Sequence, residues 1–130
     1  MYTMSDVCKK VGISYETLRF YCNEGLVPNV KRDKNNYRKF DERNVNWIKG
    51  LQCLRKCDMS LNDMKKYMKL CMVGESSITE RKQMLAKQKG LLISKIEEIN
   101  DSVKYIDDKQ EYYDGVLAGK IELTSNLIDI

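Results

Sequence analysis

A chain of 130 residues is about one domain long, enough for a modest core and too short for a second ligand-binding domain beside the first. The whole balance of 23 Lys+Arg against 19 Asp+Glu is mildly basic, but residues 1–73 hold 15 basic and 8 acidic side chains and residues 74–130 hold 8 and 11. The halves therefore carry +7 and −3, and only the first suits a polyanion partner.

The absence of any His removes most zinc chemistry, the usual general base and Cys–His nucleophilic catalysis, so an enzyme is not expected. No cofactor or metal is expected either. Five Cys in a chain with no bilayer-length apolar run and no signal peptide read as reduced thiols of a cytoplasmic protein with no membrane partner.

In chain order, Thr3 with Asp6 makes a capping-box-like start, and Met4, Val7, Cys8 and Val11 recur at helical spacing until Gly12. Ser14 caps a second short helix carrying Leu18, Tyr21 and Cys22 and closed by Gly25. Two such helices joined by a three-residue turn containing Gly form the helix-turn-helix pattern, which any αα-corner can also show. Leu26, Val27 and the only proline, Pro28, lead into an extended segment.

Residues 30–40, VKRDKNNYRKF, read as a short basic hairpin or a solvated loop. Asn35-Asn36 can take positive φ in a tight turn, and Tyr37 and Phe40 suit strands. Asp41 caps a helix carrying Val45, Ile48, Leu51, Cys53 and Leu54. Ser60 with Asp63 starts another, carrying Leu61, Met64, Met68 and Met72, until Gly74. Its Met-rich face reads as core filler.

From Ile78 a longer rhythm begins: Ile78, Leu85, Leu92, Ile99, Ile106 and Tyr113 lie seven apart, with Ile96, Val103 and Leu117 in the complementary seam. Lys82, Lys89 and Gln110 interrupt that seam, where Lys89 and Gln110 either select register or sit in a wet stretch. A helix of about 38 residues would be roughly 57 Å long and cannot bury one stripe against so small an N-terminal domain. It needs a partner helix, most simply its own copy. The tail IELTSNLIDI is apolar enough to fold back on something the sequence does not identify.

The ordered set YTMSDVCKKVGISYETLRFYCNEGL, NNYRKFDERNVNWIKGLQCLRKCDMSLNDMKKYM and a long helix resembles the MerR family of transcription regulators over essentially the whole chain. The resemblance rests on the Thr17-Leu18-Arg19-Phe20-Tyr21 run, the Asn35-Asn36-Tyr37-Arg38 wing and the Met59-Ser60-Leu61 turn. Asn36 and Asp58 stand where the family usually has Gly, and both residue types tolerate left-handed backbone. Phe20 stands where Tyr is common and lacks the hydroxyl that could meet a phosphate.

The resemblance implies a mainly α fold: a winged helix-turn-helix DNA-binding domain over 1–74, a coiled-coil dimerisation helix over 75–117 and a tail over 118–130. In a helix-turn-helix the start of the second helix meets base edges, which places Ser14, Tyr15, Glu16, Thr17 and Arg19 at the DNA. Arg19 can take a guanine bidentately or clamp a phosphate, or else pair with Glu16 or Asn23 on the surface. Tyr21 stands between core packing and a phosphate contact. Lys31, Arg32, Lys34, Tyr37, Arg38 and Lys39 offer cations with aromatic backing to the flanking backbone, and Arg55 and Lys56 can extend that band.

The implied partners are double-stranded promoter DNA, a second copy through the coiled coil, and RNA polymerase at the same promoter, whose widely spaced elements the dimer realigns by bending and untwisting the DNA. Metal-sensing members place Cys ligands after the dimerisation helix, and here none lies beyond Cys71. Multidrug-sensing members append a large domain that this length forbids. Cys53, in WIKGLQCLRKC, instead resembles the single Cys of the aldehyde- and electrophile-responsive AdhR/NmlR-like branch, which also shares the Tyr113-Asp114-Gly115 motif.

Nearby Lys49, Arg55, Lys56 and a partner's copy of Arg81 would favour a Cys53 thiolate, and an adduct there would add volume to a packed junction. Against this stands a small buried hydrophobe, in an architectural or adaptor protein with no effector. Cys57 lies four residues on, where a helical disulfide would be strained, and Cys8, Cys22 and Cys71 read as packing residues.

Overall fold

The computed structural model describes residues 1–130 and orders them as α1 (Met4–Val11), α2 (Tyr15–Asn23), β1 (Lys31–Arg32), β2 (Arg38–Lys39), α3 (Glu42–Lys56), α4 (Leu61–Val73) and, after a 3-10 turn at Glu75–Ser77, α5 (Ile78–Leu117). Each of the first helices begins where its side chains can satisfy orphan N–H groups. Thr3 and Asp41 form reciprocal capping boxes with Asp6 and Asn44, and Ser14 and Ser60 accept from the amides of Thr17 and Asp63. Gly12 ends α1 in the left-handed region at φ 73°, a conformation open to a residue without Cβ.

Two compact units divide within α5, Met1–Lys89 and Gly90–Ile130. In the first, Val7, Leu18, Tyr21, Leu26, Phe40, Val45, Ile48, Leu51 and Met64 form a closed core between α1, α2, α3 and α4. Trp47 Nε1 donates to the Leu26 carbonyl at 2.7 Å, fixing the segment after α2 against α3. Lys65 of α4 pairs with Glu24 at 2.8 Å.

The 3-10 turn is locked by Ser77, 2% exposed, whose hydroxyl donates to the carbonyls of Leu70 and Gly74. Arg81 closes the end of α4 by donating to Ser77 Oγ at 2.9 Å and to the Gly74 carbonyl at 2.7 Å. The Met face of α4 is core only in part, since Met64 and Met68 are buried and Met72 is exposed.

The hairpin exists but is shorter than its sequence suggests. Lys31 pairs with Lys39 and Arg32 with Arg38, antiparallel. Of the two asparagines only Asn36 takes positive φ, at 65°. Asp33 builds the turn: its Oδ1 accepts from the amides of Asn35 (2.8 Å) and Tyr37 (3.0 Å), the local bonding that suits Asp to turns. Tyr37 lies at the turn, and Phe40 leaves the hairpin to pair with Tyr2, with Tyr2 N–H to Phe40 carbonyl at 2.7 Å and the reverse at 2.8 Å. Tyr2, two residues before α1, thus pairs in an isolated antiparallel bridge with the residue that follows β2. Asp58 takes φ 60° between α3 and α4, so the turn survives without glycine.

α5 is continuous over 40 residues, about 60 Å at 1.5 Å per residue. Along it Ile78, Leu85, Ile96, Ile99, Val103, Ile106, Tyr113 and Leu117 are exposed and Leu92 is half-buried, so the heptad seam lies uncovered in the single chain. In the second unit the tail folds back on the last turns of α5. The Thr124 amide donates to Tyr112 Oη at 2.8 Å, and Ile121 packs so close to Gly115 that a Cβ there would stand 2.5 Å from Ile121 Cδ1. That contact accounts for a glycine inside a helix.

Candidate nucleic-acid interface

The interface is built around α2. Four residues apart, Tyr15 and Arg19 lie on one face of the helix, and both are exposed. Glu16 is exposed beside them, while Leu18 and Tyr21 point the other way into the core. At the first turn the Ser14 hydroxyl accepts from the Thr17 amide at 3.1 Å and donates to the Thr17 hydroxyl at 2.8 Å, so these two side chains shape the start of the helix together.

Tyr21 does not stand on this surface. It is fully buried, and its hydroxyl donates to Gln52 Oε1 of α3 at 2.9 Å. The phosphate contact considered for Tyr21 is corrected to a core position, because a closed core leaves no path for a phosphate and the phenol already has its acceptor.

The wing carries its cations in two ways. Lys31 and Lys34 project from it, and Tyr37 is 69% exposed. Arg32 instead donates to the Asn36 carbonyl at 2.7 Å and Lys39 lies 3.9 Å from Asp33, both steadying the turn. Arg38 donates to Asn23 Oδ1 at 2.8 Å, tying β2 to the end of α2. Asn23 is therefore the partner of Arg38 rather than of Arg19. Tyr15, Arg32, Tyr37, Arg38 and Lys39 line one groove with Met4, which brings five of the expected contact residues together. Arg55 and Lys56 are exposed at the end of α3.

Electrostatics near the wing are modest. Burial pushes the Cys22 thiol up, with the Arg38 and Arg32 cations opposing it. Burial likewise raises Cys8. The hydrogen bonds that Asp6 receives at the Thr3 backbone and side chain hold its carboxyl below the usual range. Tyr2 donates to Glu42, which raises the phenol, and Lys10 sits 4.7 Å from the Tyr2 ring centre.

Among the thiols, Cys53 is exposed on α3 and the other four are intermediate. The reading of Cys53 as a buried core filler is corrected, as is the packed junction around it: within one chain its side chain faces solvent. Arg81 binds the α4 terminus of its own chain. Cys57 lies just past α3 as its C-cap, and its carbonyl accepts from Gln88 Nε2 at 2.6 Å. Cys8 and Cys22 pack against the core.

No helix is long and apolar enough to cross a membrane. Residues 2–71 match the family model of MerR HTH family regulatory proteins, more than half of the chain. The chain belongs to the MerR family.

An uncharacterized HTH-type transcriptional regulator of Haemophilus influenzae is 36% identical over 112 residues, 86% of this chain and 83% of that protein. HTH-type transcriptional regulator AdhR of Bacillus subtilis is 35% identical over 90 residues, 69% of this chain and 64% of that protein. The crystal structure of HiNmlR, described as a MerR family regulator lacking the sensor domain and bound to promoter DNA, superposes with TM-score 0.73 at 35% identity, over 90% of this chain and 89% of that one. A putative MerR family regulator of Listeria monocytogenes gives TM-score 0.78 at 27% identity, over 92% and 90%. These relatives are regulators rather than enzymes, and the similarity to AdhR and HiNmlR agrees with the branch that the Cys53 region suggested.

Three features escape sequence reasoning. The Tyr2–Phe40 bridge is one residue long, so it leaves no alternating pattern. The Arg38–Asn23 and Tyr21–Gln52 bonds join residues 15 and 31 positions apart, which no local spacing reveals.

Proposed function

We propose that this chain is a dimeric transcription regulator that binds promoter DNA through α2 and the wing. The observation that carries this reading is the single groove in which Tyr15 of α2 meets Arg32, Tyr37 and Arg38 of the wing on the basic half of the molecule. Ser14, Tyr15, Thr17 and Arg19 face base edges in the major groove, and Arg32, Lys34, Tyr37 and Arg38 run along the flanking backbone. The HiNmlR structure, bound to promoter DNA, supports the assignment by its similarity.

The functional division is 1–74 for DNA reading, 75–117 for dimerisation and 118–130 for the tail. The exposed heptad seam of α5 pairs with that of a second copy, holding two reading heads at a fixed separation. A promoter whose elements are spaced too widely for RNA polymerase is then bent and untwisted to fit, at a cost of several kcal/mol that backbone contacts offset. Cys53 is the effector site, where an aldehyde or other electrophile adds to the thiolate. Its exposure on α3 and the similarity to AdhR support this.

The test begins with selection of duplexes from a random-sequence library by the full-length protein. The reading requires a selected duplex bound far more tightly than its scrambled version, with affinity falling steeply as salt rises, and energy transfer between labelled duplex ends that reports bending. Equal affinity for both duplexes overturns it.

A further inference from the structure

The helix that reads DNA in the proposed function is held from behind by a polar contact made by one fully buried side chain, Tyr21. At about 100° per residue, Tyr21 lies about 200° around α2 from Arg19, so the face that aims Arg19 and Tyr15 outward has Tyr21 at its back. There Leu18 and Tyr21 are fully buried against the core, and apolar packing of that kind is non-directional. It holds α2 against α3 while allowing the helix to roll or slide by small amounts.

Three side-chain bonds limit that freedom, all at the end of α2: Tyr21 to Gln52 of α3, Asn23 to Arg38 of the wing, and Glu24 to Lys65 of α4. The Asn23–Arg38 bond is exposed, and the Glu24–Lys65 side chains are about one-third exposed, so water can replace either. Tyr21 is 0% exposed, and its O–H donates to the oxygen of the half-buried Gln52, so of the three bonds this one has a donor fully removed from solvent.

We propose that Gln52 is a positioning residue for DNA reading: by accepting from Tyr21 it fixes the roll of α2, and with it the aim of Arg19 and Tyr15 at the base edges. Gln52 touches no base itself. Its contribution is discrimination between sequences, since phosphate contacts tolerate small shifts of the helix and hydrogen bonds to base edges do not. This rests on the DNA-binding reading above.

The experiment uses the full-length protein with a duplex that it selects from a random library and the scrambled duplex of equal length. Tyr21→Phe removes only the hydroxyl, and Gln52→Met removes the acceptor at similar volume. Each is expected to lose about tenfold in affinity for the selected duplex, the scale of one good base contact, with affinity for the scrambled duplex within about twofold. The double variant should lose no more than either single one, because both remove the same bond. Gln52→Glu keeps an acceptor and should retain most of the discrimination.

A purely structural role predicts a lower melting temperature with unchanged discrimination by the folded protein, and that result overturns the proposal. Equal losses on both duplexes also overturn it. If Gln52→Met does not fold, Tyr21→Phe alone decides between these outcomes. Failure of the parent protein to select any duplex would refute DNA reading itself, a result separate from loss of discrimination in the variants.

Discussion

Gln88 of α5 donates its side-chain amide to the main-chain carbonyl of Cys57, the C-cap of α3, at 2.6 Å, and Gln88 is 9% exposed. A helix leaves its last carbonyls without internal partners, and here one is supplied by a residue 31 positions downstream. Because Arg81 likewise closes the end of α4, the first turns of α5 act as a double cap on the helices that precede it.

Replacing Gln88 by Leu leaves the Cys57 carbonyl without its partner in a site from which water is largely excluded. A destabilisation of about 1–3 kcal/mol is expected from the unpaired group. Urea unfolding of the variant and parent measures it. A change within about 0.5 kcal/mol, as surface substitutions give, would place the bond among the dispensable ones.

Much of this architecture was legible because its causes are local. Thr3, Ser14, Asp41 and Ser60 each cap a helix within three residues, and the seven-residue rhythm from Ile78 gives a helix that ends at Leu117. The turn at Asn35-Asn36 was readable from residue chemistry and that at Asp58 from the family resemblance, and Asn36 and Asp58 both take positive φ. The tail was not, because its place depends on Ile121 meeting Gly115 and Thr124 meeting Tyr112, and both partners are ordinary helix residues until the chain turns back. Of the candidate site, Tyr15 and Arg19 were placed by the helix-turn-helix pattern, and both are exposed on α2. Whether Tyr21 and Cys53 were buried depended on what α3 packs against.

The uncovered seam of α5 yields the prediction for assembly. Leu92→Asp together with Ile99→Asp should abolish dimers, because two carboxylates per helix in an apolar interface would be buried without partners. Sedimentation at micromolar concentration checks it. A dimer mass in the double variant would mean that another surface mates the two copies.

At the DNA, Arg19 and Lys34 should fail in different ways. Arg19→Ala should cost about 1–3 kcal/mol concentrated at one base position, whereas Lys34→Ala should weaken binding to every sequence and lower the salt slope by about one unit. Titrations on base-substituted duplexes at several salt concentrations separate the two. A loss for Arg19→Ala that is uniform across sequences makes it a phosphate clamp.

The remaining prediction concerns the thiols, and exposure orders them. Burial raises Cys8 and Cys22, which leaves less of each as the reactive thiolate, and Cys53 alone is exposed, so a limiting electrophile should label Cys53 first. An adduct on an exposed side chain adds no volume to this chain's own core. The overpacking cost of about 1–3 kcal/mol therefore arises only where a second copy or DNA covers α3, and that magnitude matches a typical coupling energy between sites. On the proposed reading a second copy supplies that cover: in the Leu92→Asp, Ile99→Asp variant, Cys53 should react at least as fast as in the parent while the effect of its adduct on DNA binding disappears. An effect that persists would mean that DNA supplies the cover. In the dimer, Cys53→Ser should fold, bind the selected duplex and no longer change transcription when an aldehyde is added. Cys57→Ser should keep the response if one adduct suffices and lose it if the two thiols pair. Mass spectrometry after brief labelling, followed by reconstituted transcription, measures both halves of the expectation. A Cys53→Ser protein that still answers the aldehyde like its parent would remove Cys53 from the switch.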